Sequence, residues 1–251
     1  DSFGASVAIS ENNVVVGASD DDFSGSVYAY RTTDGGATWN FTEKLLAPDG
    51  AVLDEFGSSV AISETNVFVG APRDDDGASD SGSVYVYRTD DGATWNFTQK
   101  LVSPDTPSGD ENFGQSVNTF GNILVVGETF GDGESSKSGA AYVFETTDGG
   151  ATWDFLQELV APDGSSFDEF GTSVAVHGNY VVVGASRDDD GGDESGSAYV
   201  FRTMDGGATW NFTEKLVAPD GEEDDEFGIS VAIYGNDVVV GAYFDDDNGS
   251  N

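Results

Sequence analysis

The sequence has no cysteine and one histidine, His177. Disulfides, thiolate metal centres and histidine-ligated zinc or iron are therefore excluded, and cysteine usage carries no information about redox compartment. Cations are scarce: nine Lys and Arg stand against 47 Asp and Glu, a formal charge of -38 over 251 residues. A surface of that sign repels phosphate backbones and anionic lipid, which excludes nucleic acid as a partner and leaves cations, basic proteins and neutral sugars. No apolar run approaches the roughly 20 residues that span a bilayer, so no membrane insertion is expected. The chain opens at Asp1-Ser2-Phe3, already inside a repeat and without a leader peptide, and reads as a mature product or a fragment. Core material is present all the same. With 37% hydrophobic and 12% aromatic residues, a folded domain is expected despite the charge.

What the sequence does have is an internal repeat. Phe-Gly recurs at Phe3, Phe56, Phe113, Phe170 and Phe227, and the four tryptophans recur in step at Trp39, Trp95, Trp153 and Trp210. The repeats run approximately over 1–53, 54–110, 111–167, 168–224 and 225–251, the fifth being incomplete.

Each unit reads as four short strands. Ser6–Ile9 is the first, and Val14–Gly17, a β-branched run suited to burial on both faces, is the second. Gly121-Asn122, Gly178-Asn179 and Gly235-Asn236 join these strands in the later units, because Gly and Asn tolerate the positive φ of tight hairpins. Gly25–Tyr30 is the third strand. Trp39–Thr42, alternating apolar and polar, is the fourth and reads as a half-exposed edge. Four antiparallel strands per unit predict an all-β fold, a β-propeller of four-stranded blades. Four full repeats and a half do not close a ring of their own. Residues 1–251 are expected to belong to a ring of about six or seven blades, or to a longer array or assembly whose partner is more of the same.

Two resemblances support the propeller. Phe3-Gly4 with Val16-Gly17-Ala18, and Phe56-Gly57 with Val69-Gly70-Ala71-Pro72, resemble the FG-GAP repeat of integrin α-subunit propellers and their microbial relatives. Thr32-Thr33-Asp34-Gly35-Gly36-Ala37-Thr38-Trp39, repeated at 146–153 and 203–210, is similar to the Asp-box, a structural turn between third and fourth strands in sialidase-type propellers. The second unit departs, with Arg88 at the Ser/Thr position and Asp90, Gly92, Thr94 and Trp95 kept.

In an up-and-down blade the loop between strands two and three and the link to the next blade share one face. The former holds Asp20, Asp21 and Asp22; Asp74, Asp75 and Asp76; Asp188, Asp189 and Asp190; and Asp245, Asp246 and Asp247. The links hold Asp54-Glu55, Asp110-Glu111, Asp168-Glu169 and Asp224-Asp225-Glu226. Oxygen-rich clusters without histidine suit Ca²⁺, and the Asp triplets are the candidate metal ligands; the competing reading is a solvated acidic face. The resemblance also implies Ca²⁺, but the interval between Phe-Gly and Gly-Ala that holds the integrin-type loop is here a tight turn, Ser63-Glu64-Thr65-Asn66. On the other face, Asn40, Asn96 and Asn211 each begin an Asn-Phe-Thr sequon and are candidate glycosylation sites.

Catalysis is the minor expectation. His177 occupies a variable position at the end of a first strand, and Arg31, Arg88 and Arg202 are repeat equivalents, which marks them as scaffold. The sequence thus predicts a non-catalytic extracellular or cell-surface module for adhesion, recognition or structure, Ca²⁺-stabilised and N-glycosylated, binding protein or carbohydrate. The alternative is a polysaccharide hydrolase or lyase that uses a carboxylate pair.

Overall fold

The computed structural model describes residues 1–105, 109–133 and 135–245. Its strands are β1 (Phe3–Ser10), β2 (Asn13–Ala18), β3 (Ser26–Arg31), β4 (Asn40–Leu45), β5 (Ser59–Ile62), β6 (Asn66–Ala71), β7 (Ser83–Arg88), β8 (Asn96–Leu101) and β9 (Phe113–Phe120). They continue as β10 (Ile123–Glu128), β11 (Ala140–Glu145), β12 (Asp154–Leu159), β13 (Phe170–His177), β14 (Tyr180–Ala185), β15 (Ser197–Arg202), β16 (Asn211–Leu216), β17 (Ser230–Tyr234) and β18 (Asp237–Gly241). Among the described residues no helix is long and apolar enough to cross a membrane.

The chain divides into two units, residues 1–122 with 145–154 and residues 123–144 with 155–251. In the first, β1-β2-β3-β4 and β5-β6-β7-β8 are antiparallel meanders. In the second, β13-β14-β15-β16 is a third such sheet, β10-β11-β12 lie side by side, and β17-β18 form a two-stranded sheet. These four-stranded sheets have the form of propeller blades.

The β-branched second strands carry the core. Val67, Phe68 and Val69 of β6 are fully buried, as are Val181, Val182 and Val183 of β14. The fourth strand is the exposed edge that its alternation predicts: in β8, Asn96, Phe97 and Thr98 are exposed while Leu101 is buried. It starts one residue later than expected, after the tryptophan, and runs on to Leu45, Leu101 and Leu216.

The Phe-Gly and Gly-Ala motifs are where consecutive repeats join. Phe56 N–H donates to Ser24 O at 2.9 Å, and Gly57 O accepts from Ser6 Oγ at 2.8 Å. This brings backbone against backbone, so that a Cβ on Gly17 would lie 2.0 Å from Gly57 O. The arrangement recurs in the first unit at Ser59 Oγ–Gly114 O (2.7 Å) and in the second at Ser173 Oγ–Gly228 O (2.8 Å). Phe56, Phe113 and Phe170 are thereby fully buried, and Phe56 and Phe170 each meet a tyrosine edge-on. Phe56 lies 5.3 Å from Tyr85, and Phe170 lies 5.4 Å from Tyr199. Burying each such ring contributes about 2–3 kcal/mol.

Tryptophan makes the second joint. Trp153 stands edge-on to Phe68 at 4.9 Å, so it packs on the preceding repeat rather than its own. Gln99 of β8 brackets it, accepting from Trp153 N at 2.9 Å and donating to Trp153 O at 2.9 Å. Gln157 holds Trp210 the same way, at 2.8 and 2.7 Å. Trp95, Trp153 and Trp210 are buried, whereas Trp39, which has no preceding repeat in residues 1–38, is 38% exposed.

Candidate functional site: the acidic loops

The structure builds the Asp-box from its side chains. Asp34 Oδ1 accepts from Thr38 N (2.9 Å) and Thr32 Oγ1 (2.8 Å), and Asp34 Oδ2 accepts from Thr38 Oγ1 (2.7 Å). These bonds, that of the Thr38 hydroxyl foremost, hold its carboxyl down to about 2. The second unit corrects the sequence reading. Asp91, not Asp90, accepts from Ala93 N and Thr94 N, each at 2.8 Å, and Thr89 rather than Arg88 fills the Ser/Thr position. That box is complete but one glycine shorter, which displaced the alignment by one residue.

The Asn-Phe-Thr sequons lie at the starts of β4, β8 and β16, with Asn40, Asn96 and Asn211 exposed. Thr42, Thr98 and Thr213 donate back to Ala29 O, Val86 O and Val200 O at 3.1, 3.2 and 2.9 Å. His177 Nδ1 accepts from Gly235 N at 3.2 Å and its ring lies 4.9 Å from Tyr234, a turn-flanking role.

The acidic loops have more structure than a charge count suggests. The three members of each Asp triplet do different things. Asp74 is 3% exposed, and its Oδ1 accepts from Asp76 N at 3.0 Å, closing the turn. Asp75 Oδ1 accepts from Asp80 N at 2.9 Å across the loop. Asp188, Asp189 and Asp190 repeat this, with Asp190 N to Asp188 Oδ1 at 3.0 Å and Glu194 N to Asp189 Oδ1 at 2.9 Å.

A lysine that sequence reasoning missed stands among them. Tyr85 on β7 and Lys100 on β8 are cross-strand partners, and the ammonium lies 4.9 Å from the ring centre. Lys100 Nζ is 2.9 Å from Asp74 Oδ2 and 3.0 Å from Asp49 Oδ2, and it also contacts Asp76. Tyr85 Oη is 2.8 Å from Asp49 Oδ1 and contacts Asp74 Oδ2 as well, sharing its proton between them. In the second unit Lys215 Nζ lies 2.9 Å from Asp188, 3.0 Å from Asp163 and 2.5 Å from Asp190, with Tyr199 Oη 2.9 Å from Asp163. Lys44 lies 2.9 Å from Asp21 in the first repeat and also contacts Asp22, while Asp20 accepts from Ser2 Oγ. Burial alone would lower Lys100 and Lys215, but the carboxylates outweigh it and both are pushed up. Burial and the same carboxylates push the Tyr85 and Tyr199 phenols up.

The donor set therefore does not fit a calcium ion at Asp74 or Asp188, because an ammonium already lies against those oxygens. Among the described residues no group of three or more His, Asp or Glu has a geometry that would hold a metal ion. Asp245 is described, whereas Asp246 and Asp247 lie outside the described residues.

The link carboxylates cap their own loops. Asp54 Oδ2 accepts from Ala51 N at 2.6 Å, and Asp168 Oδ2 accepts from Ser165 N at 2.7 Å. Asp168 is 3% exposed, and its burial, aided by Asp188 and Asp189, raises it to about 6. A carboxyl raised on folding favours the native state when protonated, so this contribution is lost as pH rises from about 4 through 6. Asp168→Asn keeps the acceptor without the charge. It is expected to exceed the wild type by about 2–3 kcal/mol at pH 7 and to match it near pH 4, as read by urea melts across pH.

The third repeat shows what the cluster depends on. Gly131 stands where the other full repeats have Asp21, Asp74 and Asp188, and Glu158 stands where they have Lys44, Lys100 and Lys215. Glu128, at the position of Ala71, accepts from Tyr142 Oη at 2.7 Å, and its Oε2 lies 2.3 Å from where a Gly131 Cβ would be. A carboxylate is thus kept on the buried tyrosine from a different backbone position.

On the Asp-box side of the first unit lies a cavity of about 590 Å³, lined by Ser63, Asn66, Thr119, Phe120 and Trp153 among others. Phe120 is 43% exposed and Trp153 is buried.

A family model described as FG-GAP repeat matches residues 1–30, 39–87, 95–144, 153–201 and 210–251. From the second match on, each begins at a tryptophan, and those at 39–87, 95–144 and 153–201 run to the third strand of the next repeat. The sequence unit therefore spans the joint between sheets rather than a single sheet. No curated protein matches the sequence. With matched segments covering most of its length and blade-like four-stranded sheets, the chain belongs to the FG-GAP repeat family.

Proposed function

We propose that this chain is a non-catalytic extracellular recognition or structural module. The observation that carries this reading is the employment of the carboxylates. Asp74 and Asp188 hold a lysine and a tyrosine, Asp75 and Asp189 close their loops, and Asp54 and Asp168 cap theirs. A glycosidase needs two carboxyl groups free to meet a sugar from opposite sides, whereas these are bound into repeated architecture.

Ligand contact falls on the other side, at the cavity of the first unit. Its hydroxyl and amide lining, with one carboxylate, Glu64, and one exposed aromatic ring, Phe120, suits a neutral sugar or a polar peptide segment. The exposed Asn40, Asn96 and Asn211 are proposed N-glycan acceptors on the outer strands. The test is a panel of polysaccharides and basic extracellular proteins, scored for binding and for product release in the same samples. Binding without turnover supports the reading. Turnover abolished by a single Asp→Asn change would replace it with the hydrolase or lyase.

A further inference from the structure

We propose that the ammonium groups of Lys100 and Lys215 are built-in cations, occupying in their loops the place of a divalent metal ion and leaving the fold independent of calcium. The residue chemistry makes the exchange legible. Three carboxylates converge on each nitrogen: Asp49, Asp74 and Asp76 on Lys100, and Asp163, Asp188 and Asp190 on Lys215. They come from two consecutive repeats, so the cation ties one blade to the next. An ammonium offers three protons and meets three carboxylates. The nitrogen lies 2.9 and 3.0 Å from Asp74 and Asp49, a few tenths of an ångström beyond the roughly 2.3–2.6 Å of calcium–oxygen bonds. Both ammoniums are mostly buried, with side chains 14% and 16% exposed, and their central partners Asp74 and Asp188 are each 4% exposed. Charge held at that depth is strongly coupled to its partner.

The third repeat supports the pairing independently. It has lost the first Asp (Gly131) and the Lys (Glu158) together, and Glu128 serves the tyrosine instead. Removal of the aspartate removes the reason for the cation. Three of the four lysines of the chain, Lys44, Lys100 and Lys215, sit at this one position of the repeat.

Thermal melts of the wild type, Lys100→Met and Lys215→Met test the proposal, each in chelator, in millimolar CaCl₂, and in NaCl of matched ionic strength. The wild type is expected to melt within about 1 °C in CaCl₂ and in matched NaCl, because the loops of Lys100 and Lys215 already hold their cation. Each variant is expected to melt lower in chelator, by on the order of 5 °C or more. Each should recover much of that loss in CaCl₂ but not in NaCl, since the vacated carboxylates then offer a divalent ion up to six oxygens. A saturable rise in the wild-type melting temperature on adding Ca²⁺, reversed by chelator, would overturn the proposal. So would variants that melt with the wild type, or variants that calcium fails to restore. Should Lys100→Met not fold, the wild-type comparison and Lys215→Met, in the other unit, still decide it.

Discussion

Trp153→Ala is expected to lower stability by about 4 kcal/mol, among the largest losses that any single side-chain truncation causes in this chain. The indole is 2% exposed, stands edge-on to Phe68 at 4.9 Å, and has its backbone bracketed by Gln99 at 2.9 Å on both sides. Truncation leaves a void against Phe68, a fully buried residue of the second strand β6, and a β-sheet wall does not collapse to fill it. Trp39→Ala is the matched control. Trp39 is 38% exposed, so its loss is expected to stay near 1 kcal/mol. Urea denaturation of the two variants measures both. Equal losses would mean that the tryptophan stabilises its own Asp-box and not the joint.

Gly82→Ala is expected to be worse still, costing upwards of about 4 kcal/mol or abolishing soluble expression. A Cβ at this position would lie 2.2 Å from Phe113 O and 2.6 Å from Phe113 N, and φ is +81°. The clash is with backbone, which cannot rotate away, and relieving it separates β9 from β7. Gly36→Ala isolates the conformational part. Gly36 also has positive φ (+92°), but a Cβ there meets nothing within 4 Å, so the cost is about 1–2 kcal/mol. Soluble yield and hydrogen exchange at the Phe113 amide, bonded to Ser81 O at 3.0 Å, read out the difference. A Gly82→Ala protein that folds with that amide still protected would show that the close approach is not needed.

These two joints mark where sequence reasoning reached and where it stopped. The strands were legible because their signals are local: the Val14–Val16 run, the Gly-Asn hairpins and the alternation after each tryptophan all act within a few residues. The sidedness of the acidic loops followed from strand order alone. The joints were not legible in the same way, since Phe-Gly and Gly-Ala can be read as motifs without showing that one backbone presses on the other. Lys100 was missed for a related reason. It belongs to an exposed edge strand, and its partners Asp49 and Asp74 are 51 and 26 residues away. A repeat-by-repeat comparison could have found it, because Gly131 and Glu158 change together while Tyr142 stays. The misplacement of the second Asp-box on Asp90 had a simpler cause, a one-residue deletion inside a run of acidic and glycine residues.

The electrostatics sort the 47 acidic residues into different fates. Those in Asp-boxes are held low by hydrogen bonds, so the stability they contribute fades as pH falls from about 4 toward 2. Asp168 is held high by burial and acts in the opposite direction between about 4 and 6. Asp21 and Asp22, Asp74 and Asp76, and Asp188 and Asp190 are each held by a lysine. On this account a chain so acidic relies on a few largely buried cations placed at equivalent points of its repeat.

The most direct measurement of that claim is NMR of the lysine side-chain ammonium groups in ¹⁵N-lysine-labelled protein, near pH 7, with and without calcium. Lys100 and Lys215 are expected to give sharp ammonium signals in slow exchange with water, unmoved by millimolar Ca²⁺ and lost one at a time in Lys100→Met and Lys215→Met. Ammonium signals that exchange as fast as those of a free lysine, or that shift as calcium takes up their carboxylates, would contradict it.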